Sequence, residues 1–232
     1  MSHSTDPESR LEHSWRANAA AWSSAVREQR IASRRAGTDA AIIDAVVRTG
    51  ARRVLDLGCG EGWLARALAA RGREVVGIDA SPELVSAARA LGGGRFEIAS
   101  YAGLAARTQA FGVFDAVACN FSLLGEDVQM PLRAAREALR SGGSLVVQTV
   151  HPWAACGNDP YVDGWRIETF ETFGGKFNEP MPWYFRTLSS WLRDLRSNSF
   201  VIDEMIEPVD PASGRPLSLL LRCSPQDPNA IT

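Results

Sequence analysis

The sequence predicts an α/β fold in which helices cover both faces of a mostly parallel sheet. Three observations carry that expectation. Short, nearly continuous apolar runs recur between residues 54 and 150 and alternate with stretches of helical spacing, as expected of strands buried on both faces and joined by crossover helices. A glycine-rich turn follows the first of those runs at once. Two further apolar runs close the chain, separated by turn formers, and read as an antiparallel pair at one edge of the sheet.

In chain order, the first ten or so residues are polar and read as a tail. Trp15, Ala19, Trp22 and Val26 then fall at i, i+4, i+7 and i+11, one apolar stripe of a helix. A basic stretch with Arg27, Arg30, Arg34 and Arg35 leads to a second helix, with Thr38 as N-cap and Gly50 as stop. Residues 54–57 form the first strand, and a helix follows from about Glu61 to Arg71. Residues 75–78 form the second strand. Ser81 and Pro82 then supply an N-cap and an N1 proline for the next helix. Strands are expected at 96–98, 114–119 and 145–150, with a helix from about Pro131 to Arg140 before the last of these. The closing strands, 200–206 and 217–221, bracket Pro208, Pro211, Gly214 and Pro216. Residues 151–191 fit neither period. They hold ten of the chain's nineteen aromatics and read as an insertion rather than a linker.

Composition narrows the function classes. A chain of 232 residues is the size of one elaborated domain and buries a core without disulfides or metals. Lys and Arg number 25 against 27 Asp and Glu, a net charge of −2, which speaks against a surface built to coat nucleic acid. No apolar run approaches the ~20 residues of a membrane span, and the N-terminus has no signal-like core. The expectation is a soluble, cytoplasmic protein. Cys59, Cys119, Cys156 and Cys223 are scattered without C-x-x-C spacing, so they read as small apolar filler and no metal is expected.

The motif that decides the class is Asp56-Leu57-Gly58-Cys59-Gly60-Glu61-Gly62, where the first strand turns into a helix. Glycines there admit φ > 0 and close approach of a ligand to the backbone. A dinucleotide fingerprint would need its third glycine at position 63, which is Trp63. Asp56, at the strand's carboxyl end, would repel a pyrophosphate but suits a ligand with a cationic amine. Asp79 ends the second strand, 17 residues after Gly62, where an acid can accept both hydroxyls of a ribose. The ligand so described is cationic at one end and a nucleoside at the other.

Residues 54–89, with the acid-x-G-x-G-x-G turn at Asp56, Gly58, Gly60 and Gly62 and the acid Asp79, resemble the cofactor half of class I S-adenosylmethionine-dependent methyltransferases. The resemblance covers residues 54 to about 150. It implies a Rossmann-like three-layer sandwich whose seven-stranded sheet ends in an antiparallel C-terminal hairpin strand. It also implies four segments: N-terminal helices covering the pocket (1–50), a cofactor-binding core (51–150), an aromatic lid (151–195) and strands completing the sheet (196–232). S-adenosylmethionine is the implied cofactor. Gly58, Cys59 and Gly60 would line its methionyl chain, Asp79 would hold the ribose and Ala80 would pack on the adenine. Ser100 and Tyr101 stand where many relatives carry an acid for the adenine amino group, a departure from the pattern. Asn120 would lie at the methyl donor, and Arg34 or Arg35 would meet the cofactor carboxylate.

Methyl transfer is an in-line displacement that needs mainly positioning; a base is required only where the acceptor must first lose a proton. His151, at the end of the fifth strand, and Tyr184 are the candidate catalytic groups. Tyr161, Trp183 and Arg186 are the candidate substrate contacts, in a lid that suits an aromatic or lipophilic small molecule. Asn120-Phe121-Ser122-Leu123 lacks the Asn/Asp-Pro-Pro-aromatic run common in relatives that methylate nucleobase amines. The expected partner is a small-molecule substrate, with no nucleic acid or membrane, and the chain is a monomer or homodimer. The reading outside catalysis is a nucleoside-binding module that keeps the fold.

Overall fold

The computed structural model describes residues 6–105 and 111–226. Helix α1 (Pro7–Arg27) starts earlier than its apolar stripe suggested, because Asp6 accepts the Ser9 N–H and Pro7 fills the first turn. Of the expected tail, residues 1–5 lie outside the described residues. The basic stretch forms a π-helical turn (Arg34–Thr38) leading into α2 (Asp39–Arg48).

The core alternates as expected: β1 (Arg53–Leu57), α3 (Trp63–Ala69), β2 (Glu74–Asp79), α4 (Pro82–Leu91), β3 (Arg95–Ile98), α5 (Tyr101–Ala105), β4 (Phe114–Asn120), α6 (Gln129–Ala138) and β5 (Leu139–Val150). Helix α3 begins two residues later than expected, since Gly62 at φ 81° still belongs to the turn. The fifth strand begins earlier than the run 145–150, with a register shift against β4.

The insertion is structured. It holds the short α7 (Pro152–Cys156), then β6 (Gly164–Glu168) and β7 (Met181–Phe185), which pair as a separate antiparallel sheet. Helix α8 (Leu188–Ser197) follows, an element the sequence reading lacked. Strands β8 (Phe200–Ile206) and β9 (Ser218–Pro225) complete the main sheet, whose order is β3-β2-β1-β4-β5-β9-β8. The first five pair in parallel; β9 runs antiparallel to β5 and to β8. This is the Rossmann-like sheet with an antiparallel C-terminal hairpin.

Strand alternation builds two cores. Leu55, Leu57, Val117 and Val147 face Leu132, Trp191 and Leu195 on one side. Val54, Val75, Ala116 and Val146 face Ile42, Val46, Leu64 and Val85 on the other. Each fully buried Leu, Ile or Val contributes about 1.5–3 kcal/mol, so the carboxyl ends of β1, β2 and β4 rest on a rigid base. All four cysteines are buried free thiols. Among the described residues no helix is long and apolar enough to cross a membrane.

Candidate functional site

The turn after β1 is built by three glycines with positive φ: Gly58 at 80°, Gly60 at 55° and Gly62 at 81°. The Gly58 and Cys59 N–H groups donate to Ile78 O at 2.8 and 3.0 Å, which ties the turn to the end of β2. A Cβ on Gly58 would stand 2.3 Å from the Ser122 Cβ, and one on Gly62 would stand 2.8 Å from the Phe96 ring. No other residue fits either place without displacement. Ser122 in turn donates to Leu57 O at 2.7 Å, and Tyr101 OH donates to Ser122 O at 2.8 Å.

Asp79 is fixed by this turn and by the helix after it. Its Oδ2 accepts the Gly60 N–H at 2.9 Å and its Oδ1 accepts the Ser81 N–H at 2.8 Å. Burial raises its pKa, opposed by the backbone bonds from Ser81 and Gly60. The carboxylate therefore meets the cavity wall in one orientation, with lone pairs to spare.

A cavity of about 520 Å³ opens above this turn. Gly58, Cys59, Gly60, Asp79, Ala80, Ser100, Tyr101 and Asn120 all line it, as does Trp183. The roof joins α1, through Leu11 and Trp15, to the insertion, through Phe170 and Met181. Asn18, 1% exposed, stitches the two together: its Nδ2 donates to Glu179 O at 2.6 Å and its Oδ1 accepts the Asn178 N–H at 2.7 Å. Glu8 ties α1 to the loop after β4 by accepting the Glu126 N–H at 2.6 Å.

Arg34, not Arg35, reaches the cavity. Its guanidinium lies 4.2 Å over the Trp63 ring and pairs with both Asp39 oxygens at 2.8 and 3.0 Å. Its Nη1 is buried without a hydrogen-bond partner. Arg35 is exposed and turns to Gln29 O.

Five expected site residues lie elsewhere. Asp56 is 1% exposed and sits beneath the turn rather than at the cavity wall; burial, joined by the charge of Asp79, pushes its carboxyl up to about 7. His151 is spent on structure: Nε2 lies 2.7 Å from Glu207 Oε1, and Nδ1 accepts the Ala154 N–H as the cap of α7. Tyr161 OH accepts the Leu188 N–H at 2.9 Å. Tyr184 packs edge-on against Trp165, outside the cavity. Arg186, 3% exposed, donates to Gly125 O and Asp194, and so braces the loop after β4. His151, Tyr161 and Arg186 have local hydrogen-bond partners, Tyr184 has a ring neighbour, and Asp56 Oδ2 is buried without a partner; spacing alone reveals none of this.

The sequence reading missed Glu8, Asn18 and Glu168, which line or latch the chamber. A signal existed for Asn18: with Ser14 it makes a polar i, i+4 pair on the buried side of α1.

Residues 54–143 match a family described as a methyltransferase domain. The chain is 30% identical over 158 residues to an uncharacterized methyltransferase of Schizosaccharomyces pombe, over 65% of this chain and 59% of that protein. It is 41% identical over 107 residues to a ubiquinone biosynthesis O-methyltransferase of Xanthomonas campestris, over 43% of each. The chain thus spans about half the length of the curated relatives it matches. Among solved structures, the glycopeptide N-methyltransferase MtfA complexed with S-adenosyl-L-methionine superposes with a TM-score of 0.63 at 17% identity, over 82% of this chain and 94% of that one. That last likeness is one of fold.

Proposed function

We propose that the chain is a class I S-adenosylmethionine-dependent methyltransferase, as the methyltransferase-domain match of residues 54–143 supports, and that it transfers a methyl group from S-adenosylmethionine to a small-molecule acceptor with an apolar or aromatic body. The cofactor supplies a sulfonium methyl open to in-line attack. Asp79 would take the ribose hydroxyls, and Ala80 would lie against the adenine. The bare backbone of Gly58 and Gly60 leaves room for the methionyl chain. The unpartnered Nη1 of Arg34 would meet the carboxylate, with Trp63 and Asp39 holding the guanidinium in place. The residues present fit the group at both ends. Asp56 would act at one remove, as a buried carboxyl beneath the turn whose ionisation a cationic ligand favours.

The observation that carries this reading is the double anchoring of Asp79 at the cavity wall, one backbone N–H on each oxygen. The roof carries the acceptor half of the proposal: Trp15, Phe170, Met181 and Trp183 give an apolar enclosure, and closure over the reacting groups excludes water. Calorimetry tests the reading. The full chain should bind S-adenosylmethionine, and Asp79→Ala should weaken that binding at least tenfold. Equal affinity in the variant would remove the ribose assignment. Binding without S-adenosylhomocysteine release across a broad acceptor panel would favour a non-catalytic module.

A further inference from the structure

Four non-glycine residues hold a positive φ among the described residues: Gln29, Phe121, Phe170 and Ser199. Three of them have a local reason. Gln29 and Ser199 each stand one place beyond a helix C-cap, at the ends of α1 and α8, where this conformation commonly closes a helix. Phe170 is buried and stacks on Phe177 with ring centroids 4.3 Å apart, so its ring is fixed in the core of the insertion. Phe121, at φ 51°, has neither reason. It follows the last residue of β4, where alternation would send its ring to the face of Val117 and Cys119. The turn instead sets it at the cavity. A bulky side chain with φ > 0 is a genuine outlier, and it persists only where its surroundings over-determine it.

The surroundings do so here. The Phe121 N–H donates to Gln148 O at 2.8 Å, and Ser122 Oγ donates to Leu57 O at 2.7 Å. Ser122 O and Leu124 O accept the Tyr101 OH and the Tyr184 N–H, both at 2.8 Å. Arg186 donates to Gly125 O. Residues 121–125 are thus fastened to β5, β1, α5 and β7. The same segment packs on the glycine turn, since a Cβ on Gly58 would meet Ser122. Phe121 is therefore held beside the turn that leaves room for the methionyl chain. Every other ring that lines the cavity, from Trp15 on α1 to Trp183 on β7, packs in one of the four apolar clusters. Phe121 belongs to none of them and has no ring neighbour among the described residues.

Resting on the methyl-transfer reading, we infer that Phe121 determines acceptor specificity, as a stacking platform for a planar aromatic acceptor. Leu123 and Leu124 of the same segment already give the cavity aliphatic surface. One more apolar contact does not need a ring on a strained backbone. A ring supplies what the leucines lack: offset or edge-to-face contact with a second ring, which is worth more than its buried area. A flat acceptor in the cavity meets Phe121 beside the glycine turn and the roof rings Trp15 and Trp183 above. A saturated body with the same carbon skeleton is thicker and stacks on none of them.

The test is calorimetry on the full chain saturated with S-adenosylhomocysteine, titrated with 2-naphthol and with decahydro-2-naphthol, which share skeleton and hydroxyl and differ in flatness. The wild type should bind 2-naphthol at least about fivefold tighter. Phe121→Leu should abolish that preference and Phe121→Trp should keep it, each with S-adenosylmethionine affinity changed less than threefold. Urea unfolding gives a second readout. Phe121→Gly should leave the midpoint unchanged or raise it, because it relieves the positive φ and empties no core, whereas Phe170→Gly should lower it. Equal binding of the two alcohols by the wild type, or failure to bind either, would overturn the inference. So would a folded Phe121→Leu that keeps the preference, or a Phe121→Gly that lowers the midpoint as far as Phe170→Gly does, since the ring would then be structural filler. Should Phe121→Leu not fold, Phe121→Gly takes its place in the titration. A wild type that binds S-adenosylmethionine without the preference defeats this inference and leaves methyl transfer standing. A wild type that binds no S-adenosylmethionine defeats the underlying reading, and this inference with it.

Discussion

The Gly60 N–H sits 2.9 Å from Asp79 Oδ2, so the glycine turn after β1 and the acid ending β2 form one hydrogen-bonded unit. A ligand that touches either one touches both. The unit is closed from below by Gly58 and Cys59, which donate to Ile78 O, and from the side by Ser122, against which Gly58 packs.

Gly58→Ala should therefore damage binding and stability together. The new methyl would meet the Ser122 Cβ at 2.3 Å, on a backbone held at φ 80°. A loss of about 2 kcal/mol or more in unfolding free energy is expected from such overpacking, with S-adenosylmethionine affinity reduced at least tenfold. Denaturant unfolding and calorimetry on the same preparation check both.

Asp56 gives a pH prediction. Its carboxyl titrates at about 7 in the folded chain, above the unfolded value of about 3.9. The folded chain keeps a proton that the unfolded chain has lost, so this group's stabilisation is full below about pH 4 and is lost as pH rises toward about 7. Asp56→Asn should remove that slope and raise stability at pH 8, on the order of 2 kcal/mol. A cationic ligand above the turn should also draw the proton off, so binding near pH 7 should release protons. Calorimetric enthalpies in buffers of different ionisation heat measure that release.

Asn18 is a positioning residue of the roof. Asn18→Ala removes its bonds to the Asn178 N–H and Glu179 O, a cost of about 1–2 kcal/mol for the two hydrogen bonds. The acceptor KM should rise several-fold while S-adenosylmethionine affinity changes less than twofold. A fall in kcat with KM unchanged would contradict the latch.

His151→Ala should leave kcat within about threefold and lower stability by ~1 kcal/mol, the worth of a helix cap. The imidazole already serves α7 and Glu207. A loss of turnover larger than a hundredfold, with S-adenosylmethionine binding intact, would restore it as a base.

The fold was legible because buried parallel strands read as apolar runs and because Gly58, Gly60 and Gly62 occupy conformations that side chains resist. The cavity wall beside the glycine turn followed, since Asp79, Ala80, Ser100 and Asn120 stand at strand ends whose order fixes their place. The roof did not. Tyr161, Tyr184 and Arg186 have the composition of ligand contacts, yet the structure pairs them with Leu188, Trp165 and Asp194. Asp56 was placed on the correct strand end, but alternation along β1 sends its side chain into the sheet face with Val54 rather than into the crevice. Long-range contacts such as Asn18 to Glu179 depend on a crossing that no local pattern encodes.

The central claim is that the cavity over the glycine turn holds an adenosyl group with its ribose on Asp79. A crystal structure with S-adenosylhomocysteine tests it most directly. The account predicts both ribose hydroxyls within hydrogen-bond distance of the Asp79 carboxylate and the adenine against Ala80. Density for the nucleoside elsewhere on the molecule, or a ribose turned away from Asp79, would contradict it.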